Sequence, residues 1–180
     1  MKTNPALFSA NELLNAYSNK TMSPVEATKA ILDHIKNYDK KLNSFRLVDE
    51  EKALESARAS EERWSMGTPA GLVDGVPTTI KDLVATKGWS TRRGSLTTND
   101  KGPWDEDAPL VARLRSNGAV LLGKTTTPEF GWKGVTDSPL TGITRNPWDL
   151  TKTPGGSSGG AAAAAAACFG ALHHGSDGGG

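Results

Sequence analysis

The sequence predicts an α/β fold in which a mixed, mainly parallel β-sheet is flanked by helices. Amphipathic helical segments alternate along the chain with short apolar runs, and glycine and proline separate the two kinds of segment. Hydrophobic residues make up 36% of the chain and charged residues 23%, a balance that indicates a soluble globular protein. At 180 residues, the chain is long enough for one domain with a hydrophobic core, or for part of a larger one.

Two helices are predicted within the first part of the chain. Ser9 is the candidate N-cap of the first helix. The second begins with Ser23 as its N-cap, Pro24 at the first helical position and Glu26 completing a capping box. Its apolar stripe, which we expect to face the core, consists of Val25, Ala27, Ile31, Leu32 and Ile35.

Strands and helices then alternate as far as residue 125. The run "LNSFRLVD" alternates like a short strand, and an amphipathic helix that ends at Gly67 follows it. The runs "TTIKDLV" and "AVLLGKT" predict two buried strands. Between them, "PLVARLRSN" predicts a helix with Asp107 as its N-cap and Gly118 just beyond its end.

The last third of the chain has an unusual composition. Residues 126–155 are rich in glycine, proline and threonine, and so long an irregular segment suggests a functional loop. Seven consecutive alanines, residues 161–167, predict a helix that packs closely against its neighbours.

Charge and hydropathy argue against several kinds of partner. The net charge is +1, which gives no electrostatic reason to expect nucleic acid or an anionic membrane. No apolar run reaches the length of a membrane span, and residues 1–20 lack the apolar segment of a signal peptide. Cys168 is the single cysteine, which fits a reducing compartment, so we expect a cytoplasmic protein.

One motif points to nucleotide binding but lies in the wrong structural context. The run "GAVLLGKT", from Gly118 to Thr125, matches the phosphate-loop pattern letter for letter. A phosphate loop needs its strand before the first glycine and its helix after the lysine. Here the four intervening residues are apolar and predict the strand itself, and Pro128 follows where a helix would have to run. We therefore interpret the segment as a helix-to-strand connection.

The run "GGSSGG" leads directly into the alanine helix and places two hydroxyls, Ser157 and Ser158, at its N-terminus. Helix N-termini concentrate backbone amide donors and a positive partial charge. A serine nucleophile needs a base, and His173 and His174 follow the alanine helix, so a Ser–His arrangement stays open. His34 is predicted on a surface helix. Two adjacent histidines without a third ligand are a weak metal signal, and we expect no metal.

Lys81 is the other candidate base, because it interrupts an apolar run. Burial disfavours the charged ammonium, lowers the pKa and makes the neutral amine available. The alternative is that Lys81 forms a structural ion pair with its neighbour Asp82.

Four motifs occur along the chain in the order "GVPTTIKDL", "GAVLLGKTTTPEF", "TRNPWDLTKTPGGSSGG" and "GSDGGG". Together they resemble the amidase signature family of serine hydrolases, and the resemblance covers about residues 5–180. It implies hydrolysis of a small-molecule amide by a Ser–cisSer–Lys triad, with no metal or organic cofactor. Lys81 matches the base of that triad, and Ser157 matches the bridging serine. The peptide bond between Gly156 and Ser157 is therefore expected to be cis.

The resemblance also assigns the surroundings of the triad. Ser176 and Asp177 match positions that fix the shape of an oxyanion loop, whose amides stabilise the tetrahedral intermediate. The substrate pocket is expected at Gly131, Trp132 and Ser158. The oxyanion loop itself consists of Gly178, Gly179 and Gly180.

The resemblance places the attacking serine directly after Gly180. We therefore expect residues 1–180 to be the N-terminal part of one amidase signature domain, cut just before its nucleophile and inactive by itself. Residues 1–65 would be its helical region and residues 66–180 the first part of its catalytic core. The alternative function is the glutamine-hydrolysing component of an aminoacyl-tRNA amidotransferase, and a homodimer of the intact protein stays open.

Overall fold

The computed structural model describes residues 4–178. Its main sheet consists of the strands β1 (Phe45–Val48), β2 (Pro77–Lys81), β3 (Val120–Thr125) and, near the end of the chain, β6 (Leu172–His173). Their order across the sheet is β1-β3-β2-β6. β1 is antiparallel to β3, whereas β3–β2 and β2–β6 are parallel pairs, so the predicted mixed and mainly parallel sheet is confirmed.

Helices cover both faces of the two central strands. Every residue of β2 and β3 is buried, as expected of parallel strands covered on both sides. One core cluster joins the second, third and fifth helices to the sheet, and a second cluster contains the fourth helix. The five helices are α1 (Ala10–Ser18), α2 (Pro24–Leu42), α3 (Glu50–Ser65), α4 (Pro109–Ser116) and α5 (Gly159–Ala166).

Local capping sets the beginnings of α1 and α2 as the sequence predicts. Ser9 and Glu12 form a capping box at α1, and Ser23 and Glu26 form one at α2. The stripe of α2 faces the core through its buried members Ala27, Ile31, Leu32 and Ile35, while Val25 packs at its edge.

The predicted cap of α4 is wrong. Ala108 occupies the N-cap position and makes no side-chain capping bond. The Asp107 carboxylate instead accepts hydrogen bonds from the Lys87 backbone N–H, at 2.7 Å, and from Arg115 Nε, at 2.9 Å. These two donors lie outside the first turn of the helix and engage the carboxylate, so Asp107 ties α4 to the loop before it.

His34, which is predicted on a surface helix, is half-buried on α2. Its Nε2 lies 2.9 Å from the Ala167 carbonyl oxygen, and its ring packs edge-on against Phe169 at a centroid distance of 5.4 Å. α2 is therefore anchored through His34 to the segment that follows α5.

The segment after β3 is largely irregular, as predicted, but it contains two short pieces of structure. Residues Glu129–Gly131 form a 3-10 turn, and β4 (Asp137–Ser138) pairs with β5 (Gly142–Ile143) in a small hairpin. The run that matches a phosphate loop begins just after the end of α4 at Ser116 and contains β3, which confirms its interpretation as a helix-to-strand connection. Within residues 4–178, no helix is both long and apolar enough to cross a bilayer.

Candidate active site

Lys81 lies at the end of β2 with none of its surface exposed. Its Nζ approaches three serine hydroxyls, at 2.8 Å from Ser157 Oγ, 2.9 Å from Ser158 Oγ and 3.0 Å from Ser176 Oγ. The structure therefore brings together a lysine and three serines that are separated by 76 to 95 positions in the sequence.

The loop before α5 is fixed by close packing and by one threonine. The Gly156–Ser157 peptide bond is cis, as the family resemblance implies. Thr136 Oγ1 donates to the Gly155 carbonyl at 2.8 Å and accepts from the Gly159 N–H at 3.1 Å. Thr136 thereby joins both ends of the loop and holds Ser157 and Ser158, which lie between them, next to Lys81.

Ser158 ties this loop to the segment after β6. Its Oγ donates to the Ser176 carbonyl at 3.1 Å and accepts from the Ser176 N–H at 3.0 Å. The Ser158 proton is therefore engaged. Ser157 Oγ and Ser176 Oγ each lie within hydrogen-bonding distance of Lys81 Nζ, so either hydroxyl can donate a proton to a neutral amine.

The electrostatic surroundings favour a neutral Lys81. Burial lowers the pKa of Lys81 below the usual value, and the negative charge of Asp177 opposes that shift. The alternative of an ion pair between Lys81 and Asp82 is wrong. Successive residues along a strand point to opposite faces, and the Asp82 carboxylate instead lies 3.0 Å from Arg46 Nη2 and 3.8 Å from Lys124 Nζ.

A cavity of about 780 Å³ opens beside the serines. Gly131 and Trp132, the predicted substrate-pocket residues, line it together with Ser157 and Ser158. A Cβ added to Gly131 would lie 3.6 Å from Ser157 Oγ, so this residue faces the candidate proton bridge directly. From the segment after β6, Ser176, Asp177 and Gly178 also line the cavity. The predicted oxyanion residues Gly179 and Gly180 lie outside the described residues.

The histidines lie in other hydrogen-bond environments. His173 Nδ1 lies 3.0 Å from Thr79 Oγ1 and its Nε2 lies 3.1 Å from the Gly170 carbonyl, and burial lowers its pKa. Burial also lowers the pKa of His174, and the charges of Lys81 and Lys124 add to the effect. The hydrogen bonds of the described residues join no histidine to a serine, so the Ser–His arrangement gains no support. The same residues contain no group of three or more side chains placed to hold a metal ion.

Sequence reasoning missed a second buried lysine, Lys124, and the charged cluster around it. Lys124 is fully buried on β3 and lies beside Asp82, which Arg46 also contacts. Burial lowers the pKa of Lys124 to about 8. The signal in the sequence was the lysine that closes the apolar run "AVLLGK".

A mainly parallel α/β sheet that holds a buried lysine against serine hydroxyls defines a candidate serine hydrolase of the lysine-dependent class. The amidase family model matches residues 26–180, and the chain belongs to the amidase signature family.

Known relatives agree with this assignment. The chain is 43% identical over 150 residues to a component of the glutamyl-tRNA(Gln) amidotransferase of Salinispora tropica, covering 83% of this chain and 30% of that protein. It is 40% identical over 173 residues to an indoleacetamide hydrolase of Bradyrhizobium diazoefficiens, covering 96% of this chain and 33% of that protein. The chain thus spans about a third of the length of the curated relatives it matches.

Solved structures show the same relationship in three dimensions. A bacterial aryl acylamidase of the amidase signature family superposes with a TM-score of 0.81 at 35% identity, covering 90% of this chain and 34% of that one. The 6-aminohexanoate cyclic dimer hydrolase superposes with a TM-score of 0.83 at 32% identity, covering 97% of this chain and 34% of that one.

Proposed function

We propose that the intact protein hydrolyses the C–N bond of a carboxylic amide through an acyl-serine intermediate. The observation that carries the proposal is the fully buried Lys81, whose Nζ lies 2.8 Å from Ser157 Oγ. Burial lowers the pKa of Lys81, which favours the neutral amine that a general base requires. The family of the chain and the names of its relatives support the same reaction class.

In the proposed reaction, Lys81 is the base and Ser157 carries the proton. Neutral Lys81 takes the hydroxyl proton of Ser157 while Ser157 takes that of the attacking serine, whose Oγ bonds to the amide carbonyl carbon. When the C–N bond breaks, the proton returns through Ser157 to the leaving amine or ammonia. Water then hydrolyses the acyl ester by the same route. The family resemblance assigns the attack to a serine after Gly180.

Ser158 has a supporting role in this proposal. Its two hydrogen bonds to the Ser176 backbone hold the start of the glycine segment next to the base. Backbone amides of that segment, from Gly178 onward, would stabilise the oxyanion of the tetrahedral intermediate. Removing one such donor typically costs about 10²–10³ in kcat.

A second candidate function is hydrolysis of glutamine as one component of an aminoacyl-tRNA amidotransferase. The observation that favours it is the 43% identity to a protein of that kind. The two functions differ in partner dependence. Glutamine hydrolysis that rises when partner proteins are added supports the amidotransferase component, whereas turnover of simple amides by the protein alone supports the stand-alone amidase. In either case we propose a cytoplasmic location, which the single cysteine fits.

Substitution of the two triad residues tests the proposal. Lys81→Ala and Ser157→Ala should each lower kcat for amide hydrolysis about 10²–10⁴-fold, the usual contribution of general acid–base groups. Ser138→Ala is the matched control, because it removes a hydroxyl bonded to Thr141 at 2.8 Å in the β4–β5 hairpin. Near-normal turnover in either triad variant would refute the relay. A fluorophosphonate adduct on Ser157, Ser158 or Ser176 would refute the assignment of the nucleophile.

A further inference from the structure

The segment after β2, residues 83–95, wraps around the buried charges of the sheet, and we call it the β2 loop. Lys124 Nζ donates to three acceptors on it, namely the Val84 carbonyl, Thr86 Oγ1 at 3.2 Å and Thr91 Oγ1 at 3.0 Å. Because Lys124 is fully buried, displacing the loop would remove hydrogen-bond acceptors from its Nζ without water to replace them, so Lys124 fixes the loop.

The other members of the charged cluster hold the rest of the β2 loop. Arg46 Nη1 donates to Ser90 Oγ at 3.2 Å, and its Nε donates to Asp82 Oδ2 at 3.1 Å. The Asp82 backbone carbonyl accepts from the Arg93 N–H at 3.0 Å. Asp82 and Lys124 are almost completely buried, so the charged side chains that hold the β2 loop are shielded from water.

The far end of the β2 loop holds the 3-10 turn Glu129–Gly131. The Arg93 carbonyl accepts from the Phe130 N–H at 2.8 Å. Ser95 Oγ, which is fully buried, donates to Glu129 Oε1 at 2.7 Å. Between these contacts, a Cβ on Gly94 would lie only 2.6 Å from the Thr127 carbonyl oxygen, so the two backbones touch.

The end of this turn lines the cavity at the candidate site through Gly131. Phe130 and Gly131 both adopt left-handed conformations, with φ of 52° and 69°. A phenylalanine adopts that conformation rarely and needs its surroundings to hold it there. Gly131 packs against Leu83 of the β2 loop and faces Ser157, and the next residue, Trp132, is 90% exposed on the cavity rim.

We propose that Glu129 is a positioning residue that determines which acyl groups the cavity accepts. Through Ser95 it connects the turn that carries Gly131 and Trp132 to the rigid β2 loop. The inference rests on the proposed amide hydrolysis and deepens it. The hydrogen bonds that position Lys81 involve neither Glu129 nor Ser95. The candidate base and the part of the cavity lined by Gly131 and Trp132 are therefore held in place by different residues.

The test compares four variants of the intact protein: Glu129→Ala, Glu129→Gln, Ser95→Ala and the double variant with alanine at both positions. The substrates are p-nitroanilides with acetyl, butyryl and hexanoyl groups. Glu129→Ala should change the ratio of kcat/KM for hexanoyl over acetyl about tenfold, the effect of losing one hydrogen bond to a charged group. Ser95→Ala should give the same shift, and the double variant no more than either. Glu129→Gln keeps an acceptor oxygen and should retain the normal ratio.

Two controls separate positioning from a general loss of stability. The pH profile of kcat/KM should stay unchanged in Glu129→Ala, since Lys81 keeps its surroundings. Ser138→Ala, which removes a comparable hydroxyl bond in the β4–β5 hairpin, should leave the acyl ratio unchanged. An equal loss of kcat/KM on all three substrates in Glu129→Ala, or additive effects of the two alanine substitutions, would overturn the inference.

Amide hydrogen exchange distinguishes failure of this inference from failure of the proposed function. Exchange at residues 129–132 should be about tenfold faster in Glu129→Ala than in the unmodified protein, whether or not the anilides are turned over. Unchanged exchange there overturns the positioning role even if the enzyme is active. If Lys81→Ala keeps its activity, the proposed relay is wrong. The positioning role of Glu129 is still tested in that case, because the exchange rate at residues 129–132 does not depend on turnover.

Discussion

Gly160→Ala separates the effect of helix propensity from the effect of packing. Gly160 lies in the first turn of α5, where alanine is favoured over glycine by about 1 kcal/mol in an exposed helix. A Cβ at this position, however, would lie 2.4 Å from the Thr126 backbone nitrogen and 2.6 Å from its carbonyl oxygen. A Cβ atom does not approach non-bonded backbone atoms so closely, so either α5 or the Thr126 backbone would have to move.

Thr126 cannot move freely to make room. Its N–H donates to the Ser44 carbonyl at 2.9 Å, and its hydroxyl lies 2.6 Å from Thr144 Oγ1. Because the added Cβ would meet fixed backbone atoms, the upper part of the usual cost of overpacking applies, about 2–3 kcal/mol. After a gain of about 1 kcal/mol in helix propensity, the net effect is destabilisation by about 1–2 kcal/mol. Since α5 follows Ser157 and Ser158 directly, its displacement should also lower kcat.

Urea unfolding of the intact protein, followed by tryptophan fluorescence, measures this effect. Ala165→Gly is the matched control, because Ala165 is exposed on the same helix and its loss costs at most about 1 kcal/mol through propensity alone. Gly160→Ala should be the less stable of the two variants. A Gly160→Ala protein as stable as the unmodified protein, with normal kcat, would refute the argument that α5 packs at backbone contact.

Three further outcomes are expected. The kcat/KM for amide hydrolysis should rise with pH through a pKa below that of an ordinary lysine, since burial lowers the pKa of Lys81; a profile that is flat across that range would contradict the base assignment. Burial lowers the pKa of Lys124 to about 8 from 10.5, so the unfolded chain binds more protons between these values, and the unfolding free energy should rise there by at most about 1.4 kcal/mol per pH unit. Urea unfolding of Lys124→Met should lack that rise; a slope equal to that of the unmodified protein would exclude Lys124 as its source. Ser23→Ala removes the capping box with Glu26 and should cost about 1 kcal/mol in thermal unfolding, and an unchanged melting temperature would contradict it.

Local features of the fold could be predicted from the sequence because their partners are neighbours. The capping boxes at Ser9 and Ser23 each join residues three apart, and the apolar stripe of α2 follows from its period. Asp107 shows the limit of such reasoning. It had the right position for a cap, but Arg115 and the Lys87 amide lie close in the folded chain and engage its carboxylate.

The candidate site could be predicted only in part for the same reason. The apolar neighbours of Lys81 indicated burial, and the family resemblance supplied Ser157. The pairing of Asp82 could not be found, because its partners Arg46 and Lys124 come from two other strands and meet it only through the register of the sheet. Lys81 at the end of β2 and Asp82 directly after it therefore point to opposite faces of the sheet.

The two buried lysines show why a perturbed pKa does not by itself identify a base. Burial lowers the pKa of both Lys81 and Lys124, and that of Lys124 falls to about 8. Lys124, however, donates to the Val84 carbonyl and to Thr86 and Thr91, which are 1% and 3% exposed, and none of these three residues lines the cavity at the candidate site. Lys81 contacts serine hydroxyls that line an open cavity, and Ser157 can pass a proton between that cavity and the amine. Access through a hydroxyl, rather than the size of the pKa shift, distinguishes the candidate base from the structural lysine.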